Sequence, residues 1–565
     1  MAPQKKRFLL SLFACAAAAF DYDVLIFGAS SAGVAAAITA SANGTRSVAL
    51  VEPLPLAGGM LSAGGLYLTD QLDPRYSRFF VSGVAREWAD RVRAAYGSAA
   101  DVLTPDAFVA QAAVDAMLAA RPSISVLTGC ALLGAARAGA ATIASVMLTC
   151  HPLPLTARVF VDASYAGDLL VAAGVPHAVG REASITYGES LAGVLGLGGG
   201  DGEDAFPWPV PAAAPGGGGL LPGVSPTALP PVGAADGGLM AFGHRACVTT
   251  DAATRVPFPQ PPGYNRSDHA LLLEVVAAAT AHGGRPPVLE DFVGLIPYDS
   301  AVAAAGRHKF MLCCGGWPVN GDAVTLNAGY VAAGSPAARR AADAAHTRYL
   351  LGALHFLASD DAVPTATRAD AARYGLCGDE WAAGDPAHWP PVLYVREGAR
   401  LVNDGVLTQV TLVSPRGKPD GIAVGAWYFD KHVVTRVADG RGFAANEGHF
   451  RAPTAWAGRA SGWCGQRADK CRNVSAEWYD VPLSALLPRR RDAVNLVVPV
   501  ALAASGVAFS SARIESMLMG TGAAAGVVAR LAVASGGAVQ DVAVGKVQAV
   551  LVNEVGAVVH GPPRL

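Results

Sequence analysis

The chain has 565 residues, 52% of them hydrophobic and 16% charged, with a net charge of −2. That length accommodates two or more domains, and the alanine- and glycine-rich hydrophobic content fits a globular core. A charge so near zero gives no electrostatic case for nucleic acid or an anionic membrane surface, so neither is an expected partner.

Residues 1–20 stand apart. Lys5, Lys6 and Arg7 precede an apolar run from Phe8 to Phe20 that ends in alanines. A basic start, an apolar stretch of this length and small residues at a cleavage site predict a secretory signal peptide cut between Ala16 and Phe20. A mitochondrial or uncleaved leader is the alternative. The expected location is the secretory pathway or the extracellular space. No later run of about 20 residues is apolar and free of charge, Arg530 interrupting the best candidate, so no membrane span is expected. Of nine cysteines, Cys15 lies in the leader. The remaining eight permit disulfides in an oxidising compartment, with Cys464 and Cys471 the preferred pair. Adjacent Cys313 and Cys314 read as two buried thiols, with a redox pair as the alternative. Sequons at Asn43, Asn265 and Asn473 are candidate glycan sites. No cysteine–histidine spacing points to zinc, and no metal is expected.

Asp21 to Ile38 reads D-Y-D-V-L-I-F-G-A-S-S-A-G-V-A-A-A-I. Val24–Phe27 predicts a buried strand, Gly28 and Gly33 a tight turn, and Val34–Ala42 a helix. Ser47–Val51 predicts a second strand ending in Glu52. In such a unit the helix N-terminus faces a pyrophosphate and the acid takes a ribose hydroxyl. Gly28, Ser30, Ser31, Gly33 and Glu52 are therefore candidate dinucleotide ligands. Ser30 stands where a middle glycine is usual, and its side chain crowds the phosphate's approach. A second glycine-rich loop follows, with Gly58, Gly59, Met60, Gly64 and Gly65 as further candidates. A loop of this kind directly after the acid resembles FAD-binding flavoproteins rather than nicotinamide dehydrogenases, which implies a flavin dinucleotide, with a merely flexible loop as the alternative.

Helices are predicted over Val84–Ala95 and, with Thr104 as cap and Pro105 at its first position, up to Ala120. Strands are predicted at Ile124–Leu127, Ala131–Ala135, Ile143–Cys150 and Arg158–Asp162. Residues Leu191–Gly238, rich in glycine and proline, read as a disordered or loosely packed insertion. A mixed region follows from Phe242 to Asp480, with a helix at Ala337–Leu357 and a strand at Val406–Val413. Asn495–Leu502 predicts a buried strand and Ile514–Ala532 a small-residue helix. An accessory helix and tail close the chain.

Several long motifs then carry a family likeness. V-F-V-D-A-S-Y-A-G-D-L-L-V-A-A-G-V (Val159–Val175), H-R-A-C-V-T-T-D (His244–Asp251), Y-G-L-C-G-D-E-W (Tyr374–Trp381), L-Y-V-R-E-G-A-R (Leu393–Arg400) and S-A-R-I-E-S-M-L-M-G-T-G-A-A-A-G (Ser511–Gly526) occur in order. With V-G-R-E-A (Val179–Ala183), Y-G-E (Tyr187–Glu189) and R-V-P-F-P (Arg255–Pro259), they resemble the bacterial and fungal FAD-dependent oxidoreductases of the glutathione-reductase-like flavoprotein group, over Tyr22–Ser535. The resemblance implies an α/β fold: a Rossmann-like FAD-binding domain, discontinuous in sequence, with an inserted α+β substrate or cap domain. The implied division is 21–190 and 481–535 for FAD, 191–240 for the insertion, 241–480 for the cap and 536–565 for the tail. It adds Asp162, Ala163, Ser164, Gly520 and Gly522 to the cofactor residues, the helix after Gly520 aiming its N-terminus at the flavin. Tyr165 departs from the glycine common in the wider group. No histidine lies in the Gly58–Gly65 loop, where some relatives attach flavin covalently, so the expected FAD is non-covalent.

Flavin carries the hydride and the protein supplies orientation and a proton route. Arg396, His432 and Arg513 are the catalytic candidates, each also readable as structural. Arg396–Glu397 could orient a substrate oxygen, and Asp430 and His432 would share one face of a strand. Arg181–Glu182 reads as a structural pair, and His244 as a core histidine or a proton carrier. The expected activity is hydride transfer between a small organic substrate and FAD. A nicotinamide-dependent dehydrogenase and a non-catalytic flavin-binding protein are the alternatives.

Overall fold

A computed structural model describes residues 20–42, 46–68, 77–197, 206–313, 322–324, 326–332, 334–413, 418–452 and 478–561. The leader, the sequons at Asn43 and Asn473, and Cys314, Cys464 and Cys471 lie outside them.

The first strand, β1 (Tyr22–Phe27), is followed by α1 (Ser31–Ala40) and β2 (Val48–Glu52). Further on come α2 (Val84–Tyr96), α3 (Ala107–Ala119), β3 (Ile124–Thr128), β4 (Leu132–Arg137), β5 (Ile143–Leu148) and β6 (Leu155–Asp162). The unit is completed from far along the chain by β7 (Leu496–Val497) and α4 (Glu515–Ser535). Strands β3, β2, β1, β6 and β7 lie side by side and all parallel, while β4 and β5 continue from β6 as an antiparallel meander. Val24 to Phe27 is a continuous apolar run because both faces of a central parallel strand are covered. A disulfide, Cys130–Cys150, joins the two open ends of the β4–β5 hairpin.

All ten residues of α1 are buried, since the sheet covers one side and α4 the other. The small residues make this contact possible. A Cβ on Gly522 would lie 2.2 Å from the Ala32 carbonyl oxygen, and one on Gly526 would lie 2.2 Å from that of Ala36. Thr39 Oγ1 adds a hydrogen bond to Ala523 O at 2.9 Å. By length and composition α4 alone among the described helices could cross a membrane, but it carries Arg530 and 78% of its apolar window is buried inside the protein.

The second unit is built on five antiparallel strands, in the order Arg255–Val256, Gly375–Cys377, Cys247–Thr249, Lys309–Cys313 and Gly294–Pro297. The helices Ala270–His282 and Pro336–Ser359 bury its core. Cys247 and Cys377, on neighbouring strands, form a second disulfide. Cys313 is also disulfide-bonded and so is not the thiol expected.

Four other expectations are corrected. Helix α3 begins at Ala107 with Asp106 as its N-cap residue, so Thr104 and Pro105 precede it. Gln409–Val413 is a helix, its short apolar alternation having been too brief to define a strand. Only Leu496–Val497 of the Asn495–Leu502 run pairs as a strand. Within the glycine-rich insertion, residues 206–238 are not disordered but anchored at a few points, most of them staying exposed or half-buried: Val210, Ala212, Leu221 and Val224 join the core of the second unit, and Pro211 and Ser225 bridge to Phe443 and Val437.

Candidate functional site

The first turn sits where β1 and β6 end together. Gly28 has φ +92°, and a Cβ there would fall 2.5 Å from Ser164 N, so only glycine fits. A Cβ on Gly33 would lie 1.9 Å from Gly28 O, so glycine there brings helix and strand together. The Ser30 side chain is accommodated within this turn. It is the N-cap of α1: its Oγ accepts from Gly33 N at 3.3 Å and donates to Ala163 O at 2.7 Å. Ser31, in the first helical turn, is fully buried and its Oγ has no protein partner.

Glu52 closes the far side. Its Oε2 accepts from Ala29 N at 2.7 Å and its Oε1 from Leu54 N at 3.0 Å. Burial pushes its carboxyl up to about 7, against those two bonds. Asp162 shapes the turn after β6, accepting from Ser164 N, Ser164 Oγ and Leu170 N at 3.0, 2.6 and 2.7 Å. Burial, aided by Asp168, raises it also to about 7. Ala163 N in turn donates to Phe27 O.

The second glycine loop is tied to the first turn. Gly58 N donates to Ala29 O at 2.6 Å, and Gly59 approaches Ser30 and the Tyr165 hydroxyl. Tyr165 is the connecting residue. Its Oη accepts from Met60 N at 2.9 Å and donates to Glu515 Oε1 at 3.1 Å, at the first residue of α4. Burial and the Glu515 charge raise the phenol well above its ordinary value. Gly64 packs on Met60, and Gly65, at φ +74°, lies against Arg245 O and the Trp381 ring.

Because α4 starts at Glu515, Gly520 and Gly522 lie within the helix. They do not form the N-terminus expected to face a cofactor: Gly522 packs on Ala32, and Gly520 on Ala423.

Arg396, His432 and Arg513, separate in sequence, enter one buried cluster. Their link is Tyr394 and Asp430. The guanidiniums of Arg396, Arg245 and Arg513 lie 4.6, 5.1 and 5.7 Å from the centre of the Tyr394 ring. Arg513 donates to Tyr394 Oη and, at 3.0 Å, to Asp430 Oδ2. His432 Nε2 lies 3.6 Å from the same carboxylate, and Arg451 donates to its other oxygen at 3.2 Å. Burial alone would raise Asp430, but His432, Arg513 and His449 hold it well below the usual carboxylate range. Arg396 also donates to Ala241 O.

Other candidates are elsewhere. Glu397 receives Lys431 Nζ at 3.1 Å and Met240 N at 2.6 Å. Arg181 pairs with Asp236 and Glu447, and Glu182 with Arg400. The His244 ring lies tilted against that of Trp389, at 5.3 Å between centres, and contacts Thr347. Sequence reasoning did not single out Tyr394 or Trp381. The available signal was an aromatic residue inside each motif, L-Y-V-R-E-G-A-R and Y-G-L-C-G-D-E-W.

The family model described as FAD dependent oxidoreductase matches residues 23–551, nearly the whole chain. This protein is an FAD dependent oxidoreductase by family. No curated protein matches it. Among solved structures it is similar to L-proline dehydrogenase from P. horikoshii, at 16% identity over 29% of this chain and 25% of that one, TM-score 0.17. It is similar to THI4 of Thermovibrio ammonificans at 18% identity over 28% and 64%, TM-score 0.20. Thioredoxin reductase of T. acidophilum shares 16% identity over 25% and 34%, TM-score 0.16. The chain therefore spans between 25% and 64% of the length of these proteins.

FAD is the cofactor of this oxidoreductase, and the residues present fit its dinucleotide half. The buried Ser31 hydroxyl lacks a protein partner at the start of α1, Gly28 leaves no side chain over the turn, and Glu52 offers a carboxylate at the end of β2.

Proposed function

We propose that this flavoenzyme moves hydride between a small organic substrate and non-covalently bound FAD, in the space bordered by the second glycine loop and the Tyr394 cluster. The observation that carries this reading is the continuity of that loop. Met60 is bonded to Tyr165, and through it to α4, while Gly65 abuts Arg245 of the arginine cluster. Bound flavin supplies the two-electron chemistry. Arg245, Arg396 and Arg513 place positive charge around one phenol, where it favours a substrate carboxylate or a developing oxyanion. Tyr394 and Asp430 fix the plane of Arg513, and His432 beside Asp430 is the proton carrier. Gly28, Ser31, Gly33 and Glu52 bind the dinucleotide, with the turn Asp162–Ser164 supporting Gly28.

The bipartite FAD unit, the inserted cap and placement with the glutathione-reductase-like group belong to the same proposal, supported by β7 and α4 returning to the first sheet. Export is proposed too. Its support is the leader sequence, the disulfide at exposed Cys150 and the exposed sequon residue Asn265.

The test is the absorbance spectrum of the purified protein. A yellow flavin spectrum, bleached anaerobically by a carboxylate-bearing donor and released on acid precipitation, is expected. Flavin that remains oxidised with every donor would favour a binding protein, and flavin left in the acid pellet would exclude non-covalent attachment.

A further inference from the structure

We propose that Trp381 is a flavin-binding residue, its indole N–H donating to an acceptor of the FAD ring system along the second glycine loop. The inference rests on FAD occupying the site as read above.

Three observations meet at this residue. First, its backbone is strained: φ is +42°, in the left-handed region that a bulky side chain rarely adopts. Second, its ring lies on the second glycine loop, the position of a Gly65 Cβ being 3.3 Å from Cη2. Third, the indole nitrogen is buried with no acceptor among the described residues. Trp389 and Trp427 also bury an indole nitrogen this way, but neither has a positive φ. On the loop itself Tyr67 has φ +62°, so strain gathers on both sides of Gly65. Such strain persists only where the surroundings enforce it.

The surroundings do enforce it. Trp381 O accepts from Gly384 N and His388 N at 2.8 and 2.9 Å. The preceding residue, Glu380, takes Lys309 Nζ at 2.8 Å and Ala107 N at 3.2 Å. Cys377, four residues back, is bonded to Cys247, two residues beyond the Arg245 that presses on Gly65. A disulfide and a buried ion cluster therefore hold one indole against one glycine, with a donor left unmatched.

The ligand follows from the path of the dinucleotide. Glu52 marks the ribose at β2 and the start of α1 the pyrophosphate. The second loop leaves that turn at Gly58 and reaches Trp381 at Gly65, so the flavin half runs along it.

An unmatched buried donor destabilises the empty protein, and a ligand acceptor removes the penalty. W381F keeps an aromatic ring and deletes the donor, so its two effects have opposite signs. The apoprotein should melt at a higher temperature, while the Kd for FAD, titrated by flavin fluorescence, should rise about three- to tenfold. The visible flavin band of the reconstituted holoenzyme should also move. A merely structural Trp381 gives a lower apoprotein melting temperature. An FAD Kd and band equal to wild type overturn the proposal, and W381L repeats the comparison should W381F fail to fold. Wild-type apoprotein that takes up no FAD would instead refute the reading of the site.

Discussion

On the proposed reading, in which Glu52 takes a ribose hydroxyl of FAD, one buried carboxyl would couple cofactor binding to pH. Burial raises it from an ordinary value of 4.5 to about 7. In the empty folded protein it holds its proton more tightly than in the unfolded chain. Its contribution to stability is therefore complete below about 4.5 and is lost as pH rises through about 7. A ribose hydroxyl donating to the carboxylate favours the opposite, ionised form. FAD affinity should then increase as pH rises towards 7, by up to about tenfold per pH unit, and level off above it. Titration of apoprotein with FAD from pH 5.5 to 8.5 checks this. E52Q should bind FAD more weakly, with this pH dependence removed even though Asp162 is raised to a similar value. A dependence unchanged in E52Q would assign the proton to another group. Glu52 itself was legible in the sequence, because the strand–turn–helix–strand pattern that presents it is local. The capping role of Ser30 was not legible, because its partner, Ala163 O, is 133 residues away.

At the level of elements, the small-residue helix α4 is held against α1 along its glycine face. Its place against a buried partner was readable from M-G-T-G-A-A-A-G, but its start was not: Glu515 begins the helix without a side-chain cap hydrogen bond, so no capping pattern marks it. The contact predicts a sign difference between two glycine substitutions. In G522A the new methyl meets the Ala32 backbone at 2.2 Å, which should cost about 1–3 kcal/mol through overpacking. In G545A, within the helix Val544–Val550, nothing lies within 4 Å of the added methyl. Better helix propensity should there stabilise by roughly 0.5–1 kcal/mol. Urea unfolding of both variants checks the pair, and equal shifts would mean that α1 and α4 are not in close contact. The same lesson applies to Gln409–Val413: five residues of alternating polarity fit either state, and the long-range bridge from Leu407 to Ala504 is invisible locally.

Across the whole molecule, the two sheets are joined by buried charge that no motif announces. Lys309, on the antiparallel sheet, gives its ammonium to Asp106 at 2.6 Å, to Glu380 at 2.8 Å and to Asp379 at 2.8 Å. Asp106 is the N-cap residue of α3 in the parallel-sheet unit and also binds Arg307 and Tyr96. Glu380 reaches back to Ala107 N on that helix. These partners come from four separated stretches of chain, so periodicity and spacing could not reveal them. Their arrangement makes Lys309 the point where the antiparallel-sheet and parallel-sheet units are fastened, directly behind the Glu380–Trp381 segment that lies on the second glycine loop. Removing it strands buried carboxylates, and breaking such a cluster by deleting one partner should cost about 3–5 kcal/mol. K309M should therefore unfold at lower urea and, more tellingly, show faster hydrogen exchange in both 106–110 and 377–381 under native conditions, with β1 and β2 still protected. Loss confined to the antiparallel sheet would show that Lys309 serves only its own unit. Loosening of both segments would establish that the segment lying on the second glycine loop is held by a contact between the two halves of the protein.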